Sequence, residues 1–311
     1  MSKTQKNISL FALVMINVIA IGNLRTLPFA ASFGLSMISY YLIACILFFI
    51  PTCWITMELA TTWPNKGGIC VWVEQAFGAK WGFLVIWLQW LCNVIWYPTT
   101  LMFLAAMISD LLGIQHSHQH TIQWLMVISL FWIATYANNK GMKLSSLISI
   151  ICALAGTLLP MSMIAFFALK WHWMAKPEMI QWTWHDILPH HVNWHTLPNF
   201  VAIVFGFIGI EMSAIHANEV NDPARNFPKA IIWSGVLIIL SLLASSLSIA
   251  MIVPHEKLDL ILGAVQAFTI FFKALHLPHL LTLMMVAMIV GSFGSLSAWL
   301  IGPSKGLAVA L

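Results

Sequence analysis

Charge is what this sequence has least of. Only 8% of its 311 residues are charged, against about a quarter in an ordinary soluble domain. Its 14 Lys and Arg and 10 Asp and Glu cannot coat a water-facing surface of that length, and the mean hydropathy of +0.89 agrees. A soluble enzyme and a disordered chain are excluded. The net charge of +4 comes from scattered positives, so there is no basic patch to hold nucleic acid. Cysteine is scarce too. Cys45, Cys53, Cys70, Cys92 and Cys152 form neither an even set nor a metal-ligand spacing. Four stand in apolar runs and Cys70 in a short expected loop, which reads as small core residues rather than a disulfide framework. Catalytic signatures are missing: no HExxH, no GxSxG and no paired Asp within an apolar run. A membrane-embedded enzyme is therefore not expected, nor is a cofactor or a bound metal.

What the sequence has instead is long apolar runs. A membrane helix needs roughly 20 mostly apolar residues. Runs at 8–34, 37–59, 81–112, 122–138, 144–169, 199–219, 230–253 and 281–301 predict eight spans. The third would reach about 48 Å, beyond a hydrocarbon core of about 30 Å, so it must tilt or protrude. The stretch 258–277 has the length of a span, but Asp259, Gly263 and Lys273 interrupt it, which predicts a helix lying at the membrane interface. No long polar block divides the chain, so 1–311 reads as one multi-pass, all-α domain. Lys3 and Lys6 before the first run resemble a signal peptide, but no small-residue cleavage site follows them. With the N-terminus inside, nine Lys and Arg fall on the inner side and four on the outer side. That is the positive-inside bias of an inner membrane protein with a cytoplasmic N-terminus.

Two spans carry helix breakers. Span 1 contains Gly22, Asn23, Arg25 and Pro28 in close succession; Gly and Asn are poor helix formers, and Pro removes a donor and disfavours helix before it. Span 6 contains Gly206 and Gly209, followed at once by Glu211. Glycines three apart could instead serve close helix packing, although that pattern ordinarily spaces them four apart. Interrupted helices at corresponding places point to the substrate site of a transporter built from inverted repeats. Helices 1–5 would form the first repeat and helices 6–8 an incomplete second. Unwound backbone at that depth must line a cavity, where its free N–H groups suit a substrate carboxylate.

The residues GFIGIEMSAIHANEVNDPARNFPKAI (206 and onward), WPNKGGICVWVEQAFG (63–78), WLCNVIWYPTTL in span 3 and GSLSAWLIGPSKG in span 8 carry a family resemblance over nearly the whole chain. The chain resembles the amino acid–polyamine–organocation transporter superfamily, and within it the bacterial glutamate/γ-aminobutyrate antiporter group. That resemblance implies a LeuT-type fold, proton- or exchange-driven amino acid transport, and alternating access. The family has about twelve spans, whereas this chain stops at Leu311, in or just after helix 8. A bundle truncated after helix 8 is therefore expected, either as a fragment of a longer permease or as a non-transporting membrane protein. Reading the coding frame beyond Leu311 separates the two.

The resemblance aligns Gly22, Asn23 and Leu24 with the unwound stretch whose backbone binds the substrate carboxylate; a simple kink is the alternative. Arg25 is placed to clamp a carboxylate or to join an outer-gate ion pair, or to form a structural pair inside the bundle. Phe205 falls where relatives carry an aromatic gate, although aromatics in such helices usually only pack; Ile208 should face the same cavity. Trp299 matches a family aromatic that contacts substrate. Glu211, a charge deep in a span, is expensive and usually functional; it reads as a gating or proton-coupling group, or as a fixed helix cap. In span 3, Gln89, Asn93 and Trp96 share one helix face and suggest a cavity-lining stripe, with interhelical hydrogen bonding as the equal competitor. The expected partners are an amino acid substrate and the lipid bilayer, with a homo-oligomer left open.

Eleven of the 12 His fall on the outer side of this topology: His116, His118, His120, His172, His185, His190, His191, His195, His255, His276 and His279. Only His216 lies inward. A histidine-rich outer face becomes positive in acid, which suits a transporter working there, but chance clustering explains it as simply. The orientation is checked by labelling single cysteines in a cysteine-free background. Lys140→Cys and Arg225→Cys should react only from the cytoplasm, and His118→Cys and Trp184→Cys only from outside. Labelling of His118→Cys from the cytoplasm alone would invert the topology.

Overall fold

The computed structural model describes residues 8–64, 68–114, 119–139, 142–189, 194 and 196–310. Among these the regular structure is helical, apart from one isolated parallel bridge between Ile8 and Val220. Lys3, Lys6, Lys66, Lys140, His116, His118, His190, His191 and His195, weighed above for orientation and acid response, lie outside the described residues.

The chain opens with α1 (Leu10–Ile21), capped by the Ser9 hydroxyl, which accepts the Ala12 N–H at 3.2 Å. Such a cap satisfies a donor that the first turn cannot. α1 is apolar all round apart from Asn17, and all its residues from Ala12 onward are buried, as expected of a helix at the centre of a bundle. After Gly22 and Asn23 comes a 3-10 turn (Leu24–Thr26), then α2 (Leu27–Ala31). Together these make the first apolar stretch, Leu10–Ala31. A second stretch joins α3 (Met37–Ala44) to α4 (Ile50–Thr62) through a π turn at Cys45–Phe49. The short α5 (Ile69–Phe77) holds Cys70 buried, so that residue sits on a helix and not in the expected loop.

Next come α6 (Ala79–Leu111), α7 (Gln119–Asn139) and α8 (Met142–Ile151). A second π turn, Cys152–Leu158, leads into α9 (Leu159–Trp173). A single helical turn, α10 (Trp184–Ile187), precedes α11 (Leu197–Phe205) and a 3-10 stretch at Ile210–Glu219. The chain then runs through α12 (Pro223–Ile252), α13 (Gly263–Ala274) and α14 (His279–Ala310). Seven stretches among the described residues are long and apolar enough to cross a membrane. The expected fourth span does form a helix, the 21-residue α7, but it is not among the seven. Polar residues crowd its ends: Gln119, His120 and Gln123 at one, Asn138 and Asn139 at the other. The 12-residue α13 is about 18 Å long, too short to cross. It buries Phe268, Phe271 and Phe272 and packs on α2, α9, α12 and α14.

Two contacts tie together the helices around α1. Along its length lies α12, where Asn17 Nδ2 donates to Ser234 Oγ at 3.0 Å, with both residues fully buried. Across from it, α14 approaches the second π turn so closely that a Cβ on Gly156 would lie 2.1 Å from the Gly291 backbone nitrogen. No side chain fits there. Without a hydrophobic drive between helices in lipid, such close backbone approach is a main source of association. At the start of α1, Ile8 donates its N–H to Glu219 O and accepts from Asn221 N–H, both at 3.1 Å. The first and sixth spans are thus joined at one end by backbone.

Gly291→Ala should therefore force α14 off the π turn and lower the thermal midpoint in detergent by well over the effect of Gly235→Ala. At Gly235 an added Cβ meets only the Phe49 ring at 3.4 Å, and replacing a mid-helix glycine there should be neutral or stabilising by up to about 1 kcal/mol. Equal midpoints for the two variants would remove the close contact as a determinant of the fold.

Candidate functional site

Each half of the site begins with a helix that stops inside an apolar stretch. α1 ends at Gly22, whose N–H still reaches Val18 O at 2.7 Å. Asn23 is extended (φ −101°, ψ 111°), and its side-chain oxygen accepts the Arg25 N–H at 3.0 Å. Thr26 returns its hydroxyl to Asn23 O at 2.9 Å. The N–H groups of Asn23 and Leu24 have no hydrogen-bond partner among the described residues. Two adjacent free donors at a helix end make an anion-binding cradle.

In the sixth span, α11 stops at Phe205 and the chain turns through Gly206, Phe207, Ile208 and Gly209. Gly209 has φ +123°, a conformation that side-chain-bearing residues rarely adopt. Its N–H is received by Glu211 Oε2 at 3.1 Å. The carbonyls of Gly206, Phe207 and Ile208 accept no hydrogen bond among the described residues. The second break therefore presents acceptors where the first presents donors.

The two breaks touch. A Cβ on Gly209 would lie 3.0 Å from the Trp299 ring and 3.4 Å from both Ala20 O and Ile21, and one on Gly206 would lie 3.5 Å from Thr26 Oγ1. Trp299, from α14, lies between them: its indole N–H donates to Ala20 O at 2.8 Å, and its ring sits 5.6 Å from that of Trp96 on α6. The Tyr97 hydroxyl fixes the same residue by donating to Trp299 O at 3.0 Å. Trp299 is thus a strut between α1, α6 and α14.

Along α6, Gln89 Nε2 donates to Met212 Sδ at 3.2 Å while its side-chain oxygen Oε1 is buried with no partner among the described residues. Asn93 is buried and donates to Gln89 O at 2.9 Å. Arg25 reaches across to α6, where Thr99 Oγ1 accepts from Nη1 at 2.8 Å. Gly22, Asn23, Leu24, Arg25, Gln89, Asn93, Trp96, Ile208, Glu211 and Trp299 are therefore brought around the paired breaks. Phe205 stands apart: it is 57% exposed and shares no ring contact among the described residues. Its neighbour Phe207 is fully buried and stacks on Phe49 at 4.7 Å, so the packing aromatic of this turn is Phe207.

Ala20 O, Thr99, Tyr97 and Met212 were not anticipated from sequence. Thr99 and Tyr97 extend the Gln89–Asn93–Trp96 stripe by one turn and were open to detection by the same spacing. The Ala20 carbonyl carries no sequence signal. Among the described residues, no group of three or more His, Cys, Asp or Glu is placed to hold a metal ion.

With this geometry in view, comparison with known proteins is specific. The amino acid permease family matches residues 7–310. An uncharacterized transporter of Legionella pneumophila is 45% identical over 99% of this chain and 66% of its own length. A glutamate/γ-aminobutyrate antiporter of Lactococcus lactis is 28% identical over 98% of this chain and 62% of its own. A probable agmatine/putrescine antiporter of the same species is 23% identical over 87% of this chain and 57% of its own. The chain thus spans about two thirds of the length of the first two of these relatives. Apolar stretches, paired breaks and this match converge: the chain is a multi-pass membrane protein that belongs to the amino acid permease family.

Proposed function

We propose that this chain carries the substrate site of a secondary amino acid exchanger of the glutamate/γ-aminobutyrate type, working by alternating access. The observation that carries the reading is the pairing of two broken helices, one offering free N–H groups at Asn23 and Leu24 and the other free carbonyls at Gly206–Ile208. A zwitterion fits such a pair, with its carboxylate on the donors and its ammonium on the acceptors. Helices 1–5 act as one repeat and helices 6–8 as part of the second, so rocking between repeats exposes the site to one side at a time. The N-terminus lies in the cytoplasm and the protein resides in the inner membrane. The name of the Lactococcus relative supports the substrate class, and the interrupted spans support the mechanism.

Proteoliposomes containing the protein and preloaded with unlabelled γ-aminobutyrate should take up labelled glutamate. Empty vesicles should take up much less. Equal uptake in both would exclude exchange, and no uptake in either would favour a non-transporting role.

Glu211 then couples the cycle to protons by holding or releasing the Gly209 N–H. Glu211→Gln keeps an oxygen acceptor of nearly the same shape but cannot ionise. The variant should still bind amino acid, and the pH dependence of its exchange should flatten. An unchanged pH profile would leave Glu211 as a structural cap of the break.

A further inference from the structure

Arg25 is a cation placed at the site with no anion of its own. Among the described residues the ion pairs are His172–Glu178, His185–Asp186 and His216–Glu219, and none involves Arg25. Its backbone is locked by Asn23, and its side chain spends one donor on Thr99. Thr99 is a neutral partner, whose own hydroxyl hydrogen goes to Trp96 O at 2.7 Å. Glu211, the carboxylate of the other break, faces the Gly209 N–H instead. A guanidinium has five donors in a planar fork that matches a carboxylate with two parallel bonds, and most of that fork is unused. A full charge inside an apolar span is costly unless an anion meets it.

The placement matters as much as the charge. The free N–H groups of Asn23 and Leu24 immediately precede Arg25 in the chain. Consecutive residues therefore supply two anion-accepting groups, one of backbone and one of side chain, and a single carboxylate satisfies only the first.

Resting on the exchange reading above, we infer that Arg25 is a specificity residue that receives the second carboxylate of a dicarboxylic amino acid. The α-carboxylate sits on the Asn23 and Leu24 N–H groups, the ammonium faces the Gly206–Ile208 carbonyls, and a carboxylate one or two methylenes away engages the guanidinium. Glutamine fills the same volume but brings no charge to Arg25. A site built around a polar partner discriminates strongly against the analogue that lacks it. An arginine that merely braced the bundle or closed a gate would treat glutamate and glutamine alike.

The test is competition in the reconstituted full chain, with labelled glutamate and labelled glutamine uptake measured for wild type, Arg25→Gln and Arg25→Lys. Wild type should prefer glutamate by at least about tenfold, since its binding pairs a charge that glutamine leaves unpaired. Arg25→Gln should lower glutamate uptake at least about tenfold more than glutamine uptake and so bring the ratio near unity. Arg25→Lys keeps the charge without the fork and should give an intermediate ratio; it carries the same test should the glutamine variant not insert. Parallel loss of both substrates in these variants would overturn the inference and leave the exchange reading standing. Wild-type exchange that ignores the second carboxylate would do the same. Absence of any amino acid exchange by wild type would overturn both.

Discussion

In hydrocarbon no water is present to satisfy a backbone amide, so every N–H and C=O must find a partner within the protein or border a wet cavity. The rest of this structure follows from that constraint. Most of the chain meets it with unbroken helix. Two segments do not, at Gly22–Asn23 and at Gly206–Gly209, and the fold brings them against each other. Unsatisfied groups scattered through the bundle would each cost several kcal/mol; gathered at one place, they make a single polar spot between the two breaks. Other contacts hold the segments around that spot in place. Trp299 holds the last turn of α1, Glu211 takes the amide of Gly209, and α12 grips α1 through Asn17 and Ser234.

The architecture was legible where it rests on composition and on backbone rules. Apolar runs located the long helices to within a few residues, except that α12 begins earlier than expected, at Pro223, and α14 runs on past the expected end to Ala310; Asp259, Gly263 and Lys273 marked a segment whose helix is too short to cross. Gly22, Asn23 and Pro28 announced the first break because each disfavours helix by its own covalent structure. Gly206 and Gly209 announced the second, and the left-handed backbone at Gly209 shows why that position needs glycine. That the two breaks meet followed from interrupted helices at corresponding places; the family resemblance added Trp299 as an expected neighbour of the breaks, where the structure places it.

Other features were not legible, for physical reasons. The π turns at Cys45–Phe49 and Cys152–Leu158 carry no residue that requires them. At the second of them α14 comes close at Gly156, a contact that only the tertiary arrangement specifies. Phe205 and Phe207 are chemically identical, so sequence could not say which is packed; burial against Phe49 and Tyr41 decides for Phe207. The reach of Arg25 to Thr99 joins elements 74 residues apart, and only the tertiary arrangement specifies it.

The bridge at Ile8 has a mechanical meaning. Two backbone hydrogen bonds tie the start of α1 to the residues that close the sixth span, while Ser9 begins the helix one residue later. The first turn of α1 is consequently not a free lever. To swing away from the sixth span it must break both bonds, at a net cost of about 0.5–1.5 kcal/mol each, or carry Glu219–Asn221 with it. A rise of that size slows a conformational step by roughly one order of magnitude or more. A pair of main-chain hydrogen bonds away from the paired breaks thus sets a brake on how readily the Ile8 end of the first span parts from the end of the sixth.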